Sequence, residues 1–186
     1  MFEFEINNLN LQKKDRSVLR DISCHVPSQA LTVLIGANGA GKSSLLRCLA
    51  GLESSYSGEL LLSGRALDSY SQKERTSTIA WCPAETRQVF SYSCLELVCM
   101  GRFPLHNGYP KQKDYEIAKE AMQRLGLEGM HQTASHVLSS GVFRKLMIAR
   151  ALASENSVLL FDEPDAHLDI ACVFQVMELL KSLTRF

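Results

Sequence analysis

The chain has 186 residues, 46% of them hydrophobic and 22% charged, with a formal net charge of +0. A chain of this length buries on the order of 70% of its unfolded surface and fits one domain, and its charge balance gives no electrostatic case for a nucleic-acid partner. No run approaches the ~18 uninterrupted apolar residues of a membrane span, and the acidic, alternating start Met1-Phe2-Glu3-Phe4-Glu5 lacks the basic and apolar regions of a signal peptide, so any membrane association is expected through a partner.

Residues 2 to 26 alternate like sheet, with Phe2, Phe4 and Ile6 on one face and Val18-Leu19 and Ile22 to Val26 following a polar turn at residues 13 to 16. Pro27-Ser28-Gln29 turns the chain into Leu31-Thr32-Val33-Leu34-Ile35, whose β-branched, apolar character predicts a buried strand. That run empties into Gly36-Ala37-Asn38-Gly39-Ala40-Gly41-Lys42-Ser43, and a helix is expected from Ser43 through Leu49, closed by Gly51. Ser57 to Gly64 predicts a short strand pair, and Ile79-Ala80-Trp81-Cys82 a short strand that stops at Pro83. Helical periodicity follows, with stripes at Leu95, Val98 and Cys99 and at Ala118, Ala121, Met122 and Leu125, the second capped by Asp114. Residues 93–153 are expected to form a helical subdomain, with a packing role and a partner-facing surface, inside a single domain spanning 1–186.

Leu138-Ser139-Ser140-Gly141-Val142 precedes a helix expected from Val142 to Ala153. Ser157-Val158-Leu159-Leu160-Phe161 predicts a second buried strand, delivering Asp162-Glu163 and the turn Ala166-His167-Leu168-Asp169. Val173, Phe174, Met177, Leu180 and Thr184 then mark one face of a final helix. The six cysteines are scattered through apolar segments without a C-x-x-C pair and are expected to be core hydrophobes in a reducing cytosol. The five histidines form no ligand cluster, so a metal site built of side chains alone is not expected.

Two stretches carry chemistry. Gly36 to Ser43 is G-x-x-x-x-G-K-S, the phosphate-binding pattern: dense negative charge requires backbone N–H groups unobstructed by side chains, which the three glycines provide. Lys42 reaches the outer phosphates, the Ser43 hydroxyl ligates Mg²⁺, and the helix N-terminus, at Ser43 and Ser44, faces the same anion. An apolar strand ending in two carboxylates is the second: Asp162 holds Mg²⁺ and Glu163 orients and deprotonates attacking water.

The phosphate loop, the segment Leu138 to Gly141, the strand and pair Val158 to Glu163, and the turn Ala166 to Asp169 occur in the order and spacing of ATP-binding cassette (ABC) transporter ATPases, which the chain resembles along essentially its whole length. Further segments, Ser57 to Glu59, Leu95 to Pro104 and Ala149 to Leu152, are similar to importer subunits for iron-siderophores, haem and vitamin B12. The resemblance implies an α/β P-loop NTPase fold, a RecA-like parallel core with an antiparallel β subdomain and a helical insertion. It implies ATP and Mg²⁺ as ligands and a homodimer or subunit pair in which Ser139, Ser140 and Gly141 act across the interface, with Asp169 in the connecting turn. Transmembrane permease subunits, and indirectly a substrate-binding protein, would be partners, with the ATPase peripheral on the cytoplasmic face of the membrane. A different class of function, nucleotide binding without turnover, also remains open, and a soluble ABC protein acting on nucleic acid or ribosomes is a third reading.

The sequence departs from that family at four places. Lys13 falls where an adenine-stacking aromatic is expected, and Ala84 where a glutamine is expected, leaving Glu85 or Gln88 as substitutes. Ser140 replaces a usual glycine and Val142 a usual glutamine or glutamate. In the family a histidine-bearing strand follows the helix after Asp169, pairing between the phosphate-loop strand and the strand 158–162. No histidine follows His167 here, which leads to the expectation of the N-terminal part of a longer subunit lacking the C-terminal core strands.

Overall fold

The computed structural model describes residues 2–14, 16–84, 91–106 and 108–184. The chain divides into two compact units, Met1–Arg75 with Lys181–Phe186, and Thr76–Leu180.

The first unit is built on an antiparallel sheet in which β1 (Phe4–Lys13) lies between β2 (Arg16–Val26) and β3 (Tyr56–Leu62), with the short β4 (Arg65–Ala66) beyond β3. Alternation puts Phe4 and Ile6 in the core, but the next buried positions are Leu9 and Leu11, one residue out of phase. A bulge makes the shift. Asn8 has a left-handed φ of 49°, and the register slips between Ile6 and Leu9 against β2 and between Asn7 and Asn10 against β3. Gly58 sits opposite with φ +97°, and a Cβ there would lie 2.3 Å from the Asn8 carbonyl oxygen, so only glycine fits. Leu19, Leu60 and Leu62 complete the sheet's buried face, and Leu67, in the turn after β4, and Leu45, Cys48 and Leu49 of α1 (Lys42–Leu49) are buried as well. α1 ends as expected: Gly51, at φ +66°, donates to the Cys48 carbonyl while Leu52 donates to Arg47, the paired bonds of a Schellman motif.

The expectation of a buried strand at Leu31–Ile35 is not met. The segment joins no ladder among the described residues, and Val33 and Ile35 are 66% and 87% exposed. β-branched composition supplies the propensity for a strand, but burial comes only from a neighbour on which to pair, and none of the six described strands takes that place.

The second unit begins within α2 (Gln72–Thr78), which leads into β5 (Ile79–Cys82); β5 pairs in parallel with β6 (Val158–Phe161), Ile79 opposite Val158 and Cys82 opposite Phe161. β6 is half-buried throughout rather than fully buried as expected, because the parallel sheet has two strands among the described residues. Helices α3 (Cys94–Cys99), α4 (Gln112–Gln123) and α5 (Ser140–Ala153) pack together, and both expected apolar stripes are buried, joined by Leu146, Ile148 and Ala149. Met147 and Ala151 of α5 cluster with Ala80 and Cys82 of β5. α3 starts with a capping box in which Ser93 Oγ accepts from the Glu96 amide and the Glu96 carboxylate accepts from the Ser93 amide.

Asp114 is not the cap of α4 but its third residue, 1% exposed, accepting from the Lys111 amide at 2.7 Å. Its other oxygen accepts from Arg102 Nε at 2.9 Å, and Arg102, 6% exposed, also donates to the Ala153 carbonyl and the Glu155 carboxylate. On α6 (Ile170–Ser182) the buried residues are Val176 and Leu180, while Phe174 is 68% exposed and so leaves the stripe drawn from periodicity. Four cysteines are buried, but Cys24 is exposed and Cys172 half-buried, a correction to the reading of all six as core residues.

Candidate functional site

In the first unit, every residue from Ala30 to Ala40 is exposed, and the backbone from Gly36 to Gly41 is shaped by its glycines. Gly39 has φ +77°, and Gly41, at φ +96°, is the N-cap from which α1 starts one residue earlier than expected. A Cβ at Gly41 would lie 2.8 Å from the Val18 carbonyl oxygen and 2.9 Å from Leu19 Cδ2, so β2 braces the loop where the helix begins. A Cβ at Gly36 would sit 3.7 Å from Ala40 Cβ and 3.9 Å from Lys42 Cδ, in the hollow around which the loop curves. Lys42 folds over that hollow, donating to the carbonyls of Gly36 at 2.8 Å and Ala37 at 2.9 Å.

These features fit a phosphate chain. The lysine is already aimed across the loop, its carbonyl partners can be exchanged for stronger anionic acceptors, and Ser43 and Ser44 stand in the first turn of α1. Lys13, in place of a stacking ring, pairs with Glu53 at 3.2 Å, and the Glu53 carboxyl is held below the usual range by the Ser55 hydroxyl and then by Lys13.

In the second unit the acidic pair follows β6 directly. Asp162, 7% exposed, extends the parallel ladder by donating its amide to the Cys82 carbonyl at 2.9 Å. Glu163 is exposed and has a left-handed φ of 48°; its carbonyl accepts from the Ala166 amide at 3.0 Å, closing the turn. Asp169 caps α6, accepting from the Cys172 amide at 2.8 Å, and that bond holds its carboxyl below the usual range.

Ser139 is the N-cap of α5: its hydroxyl accepts from the Val142 amide at 3.4 Å and its carbonyl from Phe143 at 2.8 Å. The helix therefore opens at Ser140 rather than Val142, leaving the Ser140 and Gly141 amides in its first turn at the positive end of a 14-residue helix. A Cβ at Gly141 would lie 2.9 Å from the His167 carbonyl oxygen, so α5 begins directly against the turn that follows the acidic pair. Ala84, half-buried, offers no amide group, and the proposed substitutes Glu85 and Gln88 lie outside the described residues.

Sequence reasoning missed Arg144. The residue is 4% exposed, and it donates to the carbonyls of Pro83, Asp162 and Glu163. A signal was present: Arg144 shares a helical stripe with Met147, Ile148 and Ala151, all buried, so an arginine falls on an apolar face. Among the described residues no three His, Cys, Asp or Glu side chains stand together as metal ligands.

The family described as ABC transporter matches residues 19–166. The chain is 30% identical to the iron(3+)-hydroxamate import ATP-binding protein FhuC of Bacillus subtilis, over 100% of this chain and 70% of that protein. It is 35% identical to the phosphonates import ATP-binding protein PhnC of Trichormus variabilis, over 91% of this chain and 71% of that protein. Among solved structures, cbiO1 from Clostridium perfringens, part of the ABC transporter complex cbiONQ, superposes with a TM-score of 0.81 at 28% identity, covering 98% of this chain and 73% of that one.

Proposed function

Because the chain belongs to the ABC transporter family of ATP-binding proteins, with its α/β P-loop fold, we propose that it is the ATP-hydrolysing subunit of an importer for a metal chelate of the iron-siderophore, haem or cobalamin kind. The observation that carries the ATP-binding part is Gly41: a left-handed N-cap braced by β2 delivers Lys42 and Ser43 onto the first turn of a helix behind an exposed glycine loop. The cargo class is supported by the FhuC relative and by Leu95 to Pro104, whose Gly101 and Arg102 are built into the helical packing. PhnC, at similar identity, imports a different cargo by name, so the choice among cargoes rests on that segment.

In this reading the Gly36 to Ser44 backbone and Lys42 hold the triphosphate, and Ser43 and Asp162 would hold Mg²⁺, which would supply positive charge against the phosphates' negative charge. Glu163 takes the proton of the attacking water. Ser139, Ser140 and Gly141 grip the terminal phosphate of a nucleotide held by a second copy or a paired subunit, so closure depends on that phosphate. Among the described residues no helix is long and apolar enough to cross a membrane. By likeness to the import ATP-binding relatives, attachment to the cytoplasmic membrane face is assigned to permease subunits docked on the helical insertion 93–153 of a single domain 1–186, with a substrate-binding protein engaged indirectly.

The test is MgATP binding and phosphate release by the full chain. Lys42→Ala should weaken binding roughly 10- to 100-fold, the worth of charge-assisted hydrogen bonds to a phosphate. Glu163→Gln should bind normally and turn over about 10²-fold more slowly or worse. Unchanged affinity in the first variant, or unchanged turnover in the second, removes the residue from its role. Ala84, which lacks the hydrogen-bonding amide expected there, favours a second reading, nucleotide binding without turnover. Vanadate with MgATP separates the two, because only a hydrolysing site traps ADP.

A further inference from the structure

From the bonds that Arg144 makes, we infer that it is the positioning residue for Glu163, fixing the left-handed backbone on which that carboxylate is mounted and tying it to the helix that begins at Ser139. The inference rests on the hydrolytic reading above and adds to it a residue that does not itself touch substrate.

Arg144 occupies the second turn of α5 and is 4% exposed. One terminal nitrogen donates to the Pro83 carbonyl at 2.5 Å and lies 3.7 Å from Cys82 Sγ, both at the end of β5. The other donates to the carbonyls of Asp162 and, at 2.6 Å, Glu163, at the end of β6. None of these acceptors is a carboxylate, and its Nε, also buried, has no hydrogen-bond partner among the described residues. A buried cation satisfied by main-chain carbonyls is a poor device for stability, since its desolvation is not offset by an opposite charge. Its value lies in geometry. The planar fork reaches the ends of two strands at once, which a lysine ammonium cannot reproduce.

Glu163 is where that geometry matters. Its φ of 48° is disfavoured for an L-residue and persists only where surrounding bonds over-determine it. Arg144 holds the carbonyls on both sides of the Glu163 Cα, those of Asp162 and of Glu163 itself, and the Ala166 amide holds the Glu163 carbonyl a second time. Released from the fork, Glu163 can relax to an ordinary φ, and its Cα–Cβ bond swings away from its present direction. A general base has to stay within hydrogen-bond reach of its water, so a swing of that size removes the base without removing the nucleotide. One helical turn earlier, Gly141 packs against the His167 carbonyl at the far side of the same turn. α5 thus grips the turn at two points, and any displacement of its Ser139 end is passed to Glu163.

Steady-state turnover of MgATP by the full chain tests this with Arg144→Lys, made alone and in the Glu163→Gln background. Acting through the carboxylate, Arg144→Lys lowers kcat about 30-fold while leaving KM within about threefold, a part of the 10²- to 10⁴-fold that a positioned base contributes. In the Glu163→Gln background the same change lowers the residual rate less than about threefold, because the group it positions is gone. A merely structural role gives the same factor in both backgrounds, and that result overturns the inference, as does a rise in KM at constant kcat. Should Arg144→Lys fail to fold, Arg144→Gln, which keeps two N–H donors, takes its place; failure of both to fold makes the residue structural and overturns the inference as well. A wild-type chain that binds MgATP and never turns over refutes the hydrolytic reading and the inference together, whereas wild-type turnover with equal factors refutes the inference alone.

Discussion

Replacing Asp114 by asparagine keeps the volume of a side chain that is 1% exposed but removes the charge facing Arg102, itself 6% exposed. Taking away one partner of a buried ion pair costs about 3–5 kcal/mol, because the remaining charge is left uncompensated. Asparagine retains one carbonyl oxygen for either Arg102 or the Lys111 amide, which puts it near 3 kcal/mol on that scale; alanine also loses the bond to the start of α4, about 1 kcal/mol more. Glu155 is a weak substitute partner, its side chain being 60% exposed. The single tryptophan, Trp81, lies in β5 of the same unit, so urea unfolding followed by its fluorescence reports on that unit. With a slope of about 2 kcal/mol per molar, the midpoint of Asp114→Asn should fall by roughly 1.5 M.

The pH dependence gives a second readout of the same substitution. Burial by itself raises the Asp114 carboxyl, but the Lys111 amide, Arg102 and His106 outweigh it and leave the group below the usual carboxylate range. A carboxyl more acidic folded than unfolded contributes stability that is in place above about pH 4 and is lost as pH falls through the depressed folded value. The asparagine amide has no such proton to take up, so Asp114→Asn should lose less stability than the wild type on acidification below about pH 4. A midpoint within about 0.3 M of wild type, or an acid limb of unchanged steepness, would refute the assignment of this pair as the anchor of α4.

Gly58→Ala should cost about 3 kcal/mol or more, because its Cβ meets two rigid carbonyl oxygens at 2.3 and 2.7 Å in a left-handed conformation. Gly64→Ala, with φ +73° and nothing within 4 Å, should cost about 1 kcal/mol, and equal losses of Tm in circular dichroism melts would refute the bulge argument. Ser93→Ala should lower stability by about 1 kcal/mol through loss of the capping box, measured as a urea midpoint; no change would show the box to be idle. Maleimide labelling of the folded chain should reach Cys24 first and leave Cys48 until unfolding, since burial, followed by the charge of Glu53, pushes the Cys48 thiol up to about 11.

The parts legible in the sequence were those set by local chemistry. Gly36, Gly39 and Gly41 announce a loop conformation, Gly51 a helix end, and the stripes of Leu95 and Met122 a helical core, because each depends on neighbours within a few residues. Asn8 and its bulge were not legible, since the phase shift from Ile6 to Leu9 exists only relative to the strands beside β1. Leu31–Ile35 was misjudged for the same reason: composition reports what a segment is suited to, while burial depends on what comes to lie next to it. Arg144 was passed over as one basic residue among others, because its acceptors are carbonyls contributed from positions 83, 162 and 163, and carbonyls leave no mark in a sequence.

The uncovered run ahead of the phosphate loop also bears on how the chain behaves in company. Between Pro27 and Gly41 there is no charged residue, and the segment contains neither proline nor a twist-inducing bulge after Gln29 to discourage docking by another molecule. Natural proteins guard exposed, strand-prone segments with lysines, prolines or covering elements. Here nothing of that kind stands in the run itself, so its exposed, β-branched residues keep the propensity to pair with another extended segment, directly ahead of the loop assigned to the nucleotide.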